Sequence, residues 1–266
     1  MRKTHLIPLM LFVIFAFSSC KKTTVDCFSD PGEIKNETRT LDSMFSYIEM
    51  YDNIDVELVA SSKNFVEVIA GKNLISAIST EIISETVTQD PIPPDTNQIT
   101  FVQNKLIIRN NSSCSFLRND DRQAKVIVYY TELEGVTYRS NGNLTALGNI
   151  KSSVFKIDIF EGSGKIHLKL DSQKSFLNYH FGTAELEVVG QSDVNYIYQV
   201  SYGPINAQLL ETGITYLETR SANSCNVKVI GLLEATINGP GNVYYFGNPA
   251  NVLLKGSGSD KLIKGD

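Results

Sequence analysis

The chain has no tryptophan, only three histidines and four cysteines in 266 residues, and no run of Lys or Arg longer than Lys21-Lys22. Each scarcity removes a class of function. With His5 in a leader segment, two histidines are too few for a histidine-rich metal site, and the cysteines show neither Cys-x-x-Cys nor Cys/His spacing. Without a basic cluster there is no cationic face to displace counterions from nucleic acid. The formal net charge of −5 becomes −7 once Arg2 and Lys3 leave with the leader, since every acidic residue stays. A long hydrophobic run is also missing: Leu6 to Phe17 is too short to persist comfortably as a membrane-spanning helix.

That short run does carry information. Arg2 and Lys3 precede it in the charge order of a secretory signal, and its end, Phe17-Ser18-Ser19-Cys20, resembles a bacterial lipoprotein box. The resemblance implies cleavage after residue 19 and a mature chain of 247 residues whose first residue, Cys20, is acylated and holds it to a membrane. Lasting attachment takes more than one acyl chain, because a single chain binds only marginally. Residues 20–40 are polar, contain Pro31 and Gly32, and read as a tether. With Cys20 acylated, Cys27, Cys114 and Cys225 remain, an odd number that leaves at least one thiol unpaired. A Cys27–Cys114 bridge would staple the tether to the body of the fold; the alternative is that both are isolated thiols. The role of Cys225 stays open.

The second half repeats. Val136, Phe155, Phe176, Tyr196, Ile214, Leu233 and Val252 recur at a period near 20 residues. Each opens an alternating stretch and is followed by a turn residue, Gly142, Gly162, Gly182, Gly203, Asn223, Gly239 or Gly256. Short strands at such a period, with no helical stretch between them, predict an all-β solenoid of about 20 residues per turn over 136–266. Residues 41–135 form a less regular N-terminal β region, with strands at Asp55–Val59, Phe65–Ile69, Lys105–Ile108 and Lys125–Tyr130. The seven anchors are expected to form one apolar file inside the coil, with His180 also facing inward. A second strand in each turn places Lys165 beside Glu185 and His167 beside Glu187, pointing outward. The polar last turn, Gly256–Asp266, guards the open end with lysines and aspartates.

The stretches Ile237-Asn-Gly-Pro-Gly-Asn-Val-Tyr-Tyr-Phe-Gly-Asn-Pro249 and Val252-Leu-Leu-Lys-Gly-Ser-Gly258 resemble the closing turns of the putative auto-transporter adhesin head domain called GIN. Phe45–Leu58 and Tyr138-Arg-Ser-Asn-Gly-Asn-Leu144 are similar to its opening strand and first glycine turn, so that the resemblance covers residues 41–266. It implies a right-handed parallel β-helix on a Bacteroidetes-type envelope lipoprotein, and it brings no catalytic residues to carry over. Turns at Gly182-Thr-Ala, Gly203-Pro and Ala222-Asn223-Ser depart from the family's Gly-Ser-Gly pattern.

The function expected is a non-catalytic, adhesin-like scaffold of the outer membrane that binds a glycan or an envelope protein, alone or as a homo-oligomer, and needs no cofactor. Among the tyrosines, Tyr179, Tyr202, Tyr244 and Tyr245 are the candidates for stacking on a sugar ring, against ordinary sheet packing as the other reading. A polysaccharide-active enzyme is the alternative. Glycosidic chemistry needs two carboxyl groups at one bond, and the alignment sets Tyr179, Gln199, Leu217, Thr236 and Lys255 in file with Asp158, with no second acid. A signalling accessory of the envelope is a third class that no residue supports directly. After Cys20 comes Lys21-Lys-Thr-Thr-Val-Asp26 rather than an acidic cluster resembling a surface-export signal, which favours the periplasmic leaflet over the cell exterior.

Overall fold

The computed structural model describes residues 31–89, 99–112 and 124–266; the leader, Cys20, Cys27 and Cys114 lie outside them. One turn of the coil explains the rest. In β11 (Lys165–Tyr179) the side chains of Ile166, Leu168, Leu170 and Ser172 point inward, the alternation breaks at exposed Gln173 and Lys174, and it resumes with Ser175, Leu177 and Tyr179 inward. Two adjacent outward residues mark a corner, since an extended strand alone cannot put neighbours on one side. The first half of the strand therefore lies on one face of the molecule and the second half on another.

The same bent strand recurs as β10 (Ile150–Gly162), β12 (Glu185–Gln199), β13 (Ile205–Thr219) and β14 (Cys225–Ile237). Neighbours pair in parallel, with Ile157↔Leu177, Leu177↔Ile197, Ile197↔Leu217 and Leu217↔Ala235 in file. This is a β-solenoid of about six regular turns. Face A holds the second halves of these strands and ends at β16 (Asn251–Lys255); face B holds their first halves and ends at β15 (Val243–Phe246) and β17 (Leu262–Lys264). Between A and B the chain turns at glycines such as Gly162, whose φ of +110° disfavours a side chain.

The coil begins before residue 136. On face A, β2 (Tyr47–Asp52) lies between β6 (Ile99–Asn110) and β8 (Gly135–Ser140). On face B, β3 (Asp55–Ala60) lies between β7 (Lys125–Tyr130) and β9 (Leu144–Ala146). The turn that comes first in the sequence thus stands second in the stack. Antiparallel strands close that end: β4 (Phe65–Gly71) pairs with β7, β1 (Ile34–Thr40) pairs with β4, and β5 (Ile78–Gln89) forms a long hairpin with β6.

Two expectations need correction. Residues 34–40 belong to a strand rather than the tether. Their side chains are almost all exposed, so they read as polar spacer, but the backbone pairs with β4, and Arg39 donates to the carbonyls of Ile78 and Ile75 at 2.6 and 3.0 Å. The apolar file drawn through the anchors does not exist as drawn. The inward file through Phe155 continues as Ser175, Asn195, Thr215, Leu233 and Val252. Its middle members are buried polar side chains that form hydrogen bonds, Ser175 Oγ to Asn195 Oδ1 at 2.9 Å within the file and Thr215 to Thr212 of the neighbouring Ser172–Ser192–Thr212 file at 2.8 Å. Phe176, Tyr196 and Ile214 sit one position away and face outward.

Candidate functional site

The outward side of face A is where the aromatic residues gather. Phe176, Tyr196 and Tyr216 stand in register on successive turns. Their rings are stacked, Phe176 on Tyr196 at 4.8 Å and 8° from parallel, Tyr196 on Tyr216 at 5.2 Å and 18°. Neighbouring turns of a parallel coil are about 4.8 Å apart, so equal registration of planar side chains yields a pile of rings without further adjustment. Each ring is half-buried.

Below Phe176 the file continues through Lys156, Gly135, Tyr47 and Lys105. The outer half of the β5–β6 hairpin faces this stretch and closes a groove of about 570 Å³. Tyr47, Phe101 and Phe176 supply its aromatic surface, and Glu85, Gln103, Lys156, Asp158 and Asn178 its polar surface. Gly135 is needed here because a Cβ would press into the Tyr47 ring that leans across it. A shallower hollow of about 280 Å³ lies farther along, against Tyr196, Tyr198 and Tyr216.

The charges in the groove and beside it are paired off. Asp158 accepts from Asn178 Nδ2 at 3.0 Å and faces His180 Nε2 at 3.2 Å through Oδ1, while Oδ2 meets Lys156 Nζ at 2.9 Å. Glu49 accepts from Tyr51 at 2.5 Å and Arg139 at 3.1 Å through Oε1, and from Lys105 at 3.0 Å through Oε2. Burial pushes the Glu49 carboxyl up, and the bonds from Tyr51, Lys105 and Arg139 outweigh it, holding it below the ordinary value. For Lys105, burial works downward and the bonds to Glu49 and Glu85 raise it above the ordinary lysine value. Arg139 lies 4.4 Å over the Phe160 ring, which stacks on His180 at 4.5 Å. His180, expected inside, is therefore an outward member of this network. It follows the Ile159–Tyr179 register by one residue, where the inward set has just ended.

The tyrosines singled out from the sequence are not brought together. Tyr179 is fully buried and donates its hydroxyl to Ala184 O at 2.7 Å, so it is core and not a stacking surface. Gly203 must stay small because any Cβ there would fall on that ring. Tyr202 is 72% exposed on a turn between faces. Tyr244 and Tyr245 lie on face B, with Tyr244 bonded to Asn242 and Tyr245 packed against the core. The groove residues do not stand out in the sequence, because Phe176 and Tyr196 fit an inward apolar file by hydrophobicity and period. The usable signal was that Phe176, Tyr196 and Tyr216 are aromatic at intervals of one full turn.

Elsewhere the register is as expected. Lys165–Glu185 and His167–Glu187 pair on adjacent turns at 3.9 and 3.0 Å, outside on face B. Cys225 is a buried free thiol in the inward file between Ile205 and Val243. Among the described residues no group of His, Cys, Asp and Glu could hold a metal ion, and no helix is long and apolar enough to cross a membrane.

Solved structures share this architecture. A putative adhesin from Bacteroides fragilis superposes with a TM-score of 0.67 at 14% identity, over 87% of this chain and 95% of that one. One from Parabacteroides merdae gives 0.55 at 19%, over 88% and 97%. A protein described as a putative lipid binding protein from Parabacteroides distasonis gives 0.58 at 18%, over 88% and 98%. At such identities the likeness speaks for the fold. No curated protein sequence matches the chain. The sequence model of one family matches residues 93–249, more than half the chain, and so the protein belongs to the family described as putative auto-transporter adhesin, head GIN domain.

Proposed function

We propose that this protein is a non-catalytic, lipid-anchored scaffold of the cell envelope that binds a glycan in the groove between face A and the β5–β6 hairpin. The observation that carries the reading is the make-up of the groove. Aromatic rings, carboxylates and side-chain amides line one concavity, the mixture that recognises a ligand with an apolar face and a polar rim. The stack beneath removes the cost of ordering the backbone on binding, because that backbone is already paired into the sheet. The adhesin name of the family and of two of the structural relatives agrees with a binding role. The Phe17-Ser-Ser-Cys20 segment supports anchoring through lipid at the envelope.

The Glu49–Asp158 pair argues against hydrolysis between these two carboxylates. Glu49 and Asp158 are separated along face A by Thr137 alone, roughly 9–10 Å of backbone, close to the separation used by inverting glycosidases. Such a pair needs one carboxyl kept protonated and one free to activate water. Here both oxygens of each accept from donors, and Glu49 is held ionised. Glu218, in the same file as Asp158, is three turns away, about 14 Å.

Purified full-length protein in detergent, applied to an array of bacterial and host glycans with product analysis of bound oligosaccharides, tests the reading. Retention of a glycan without cleavage is expected. Retention of none, or release of shortened products, would overturn it. Mass measurement of the mature protein checks acylation at Cys20, and protease treatment of intact cells decides which side of the membrane it faces, the periplasmic side being expected.

A further inference from the structure

We infer that the groove takes a neutral saccharide, seated with one sugar face on the free side of the Phe176 ring, and that Tyr196, stacked behind Phe176, holds that ring rather than binding, while the Tyr216 ring stacks on Tyr196 and not on Phe176. The inference rests on the glycan-binding reading above and specifies its chemistry.

A pile of rings hides its own faces. A sugar that stacks on an aromatic residue lays its C–H groups over the ring face, where the π-density is. Tyr196 has a ring on each side, at 4.8 and 5.2 Å, and 4.8 Å leaves no room between them. It offers solvent an edge and a hydroxyl. Only the two end rings have an unstacked face. That of Tyr216 turns toward the next turn, where Glu234 sits in register with Lys255 bonded to it at 2.5 Å, over the shallower hollow. The face of Phe176 turns toward Lys156 and the larger groove, and the hairpin stands opposite. Among the described residues Phe176 stacks on no ring besides Tyr196. Of the two end rings, Phe176 is therefore the platform that lies in the larger groove.

The charges select against an acidic sugar. The two lysines that line the groove are already engaged, Lys105 by Glu49 and Glu85 at 3.0 and 3.1 Å and Lys156 by Asp158 at 2.9 Å. A uronate or sulfate would have to break one of these pairs and would then meet Glu85 or Asp158 as a like charge. A neutral sugar meets no such penalty. Its hydroxyls can donate to the same carboxylates and exchange bonds with Gln103 and Asn178, leaving every ion pair intact.

Affinity electrophoresis and calorimetry on the full-length protein test this, using neutral mannan, galactan and β-glucan against anionic heparin and polygalacturonate. Binding to at least one neutral polymer and weaker binding to both anionic ones is expected. Phe176→Ala and Phe176→Leu should weaken it about tenfold or more, the equivalent of one lost ring stack at the upper end of such contacts, and Phe176→Trp should restore it. Tyr216→Ala removes a stack of the same kind without touching the platform, and should change affinity less than about threefold. Circular dichroism of each variant guards against loss of fold, and Phe176→Leu keeps the apolar bulk if Phe176→Ala does not fold. Preference for the anionic polymers, or Tyr216→Ala as damaging as Phe176→Leu, overturns the inference while glycan binding stands. No retention of any polymer, with a protein partner captured instead, overturns both.

Discussion

Phe176 and Tyr196 lie face to face on adjacent turns, 4.8 Å apart and 8° from parallel, although one residue away on the same strands Leu177 and Ile197 fill the core. The two files do different physical work. Stacked aromatic pairs contribute about 0.5–1.5 kcal/mol each beyond the area they bury, and Tyr196, as the middle ring, takes part in two. Tyr196→Ala should therefore destabilise the protein by about 1–3 kcal/mol, and Tyr216→Ala by about half as much, read from urea unfolding midpoints. Equal losses would mean that the rings are neighbours without being a stack.

Leu177 is fully buried, in register with Ile157 and Ile197. Truncating it leaves a cavity that stacked turns above and below cannot collapse around, so Leu177→Ala should cost about 2–5 kcal/mol. Lys174→Ala, at the exposed corner of the same strand, should stay within about 0.5 kcal/mol. Phe176→Ala should fall between them, and the order of the three in thermal melts fixes which side of the strand is inside.

The solenoid was legible because its period survives every departure: strands ending in turn residues return about every 20 positions. The strand register was legible only where charge or apolarity alternates cleanly, as with Lys165–Glu185 and Ile166–Leu186. It failed on face A, where the inward file carries Ser175, Asn195 and Thr215 and the outward file carries Phe176, Tyr196 and Tyr216. Hydrophobicity alone then assigns each to the wrong side, since a polar residue can be buried if hydrogen-bonded and a ring can be outside if stacked. The groove was not legible at all. It depends on β6 pairing with β2 across more than 50 residues, a non-local choice that no short motif records.

Cys225 offers a probe of that interior. Burial pushes its thiol up to about 12, so the reactive thiolate is on the order of one part in ten thousand at pH 8, and no reagent reaches it without opening the coil. Maleimide labelling followed by peptide mass spectrometry should leave Cys225 unmodified in the native protein and modify it fully in urea. Rapid native labelling would mean that face B opens at that turn.

Glu49 makes stability depend on pH with a definite sign. Its carboxyl in the folded protein sits below the ordinary value of 4.5, the bonds from Tyr51, Lys105 and Arg139 outweighing burial. The folded state thus binds the proton less readily than the unfolded chain does. Its contribution is complete above the unfolded value and is lost as pH falls through the lower, folded one. Glu49→Gln removes the charge that Lys105 and Arg139 share, so it should be less stable than the parent at neutral pH. The gap should narrow on acidification below about 4.5, measured as urea midpoints from pH 7 downward. A gap that stayed constant would show that Glu49 acts through packing. A gap that widened would require a carboxyl that is protonated in the folded protein, which would reopen the case for acid catalysis between Glu49 and Asp158.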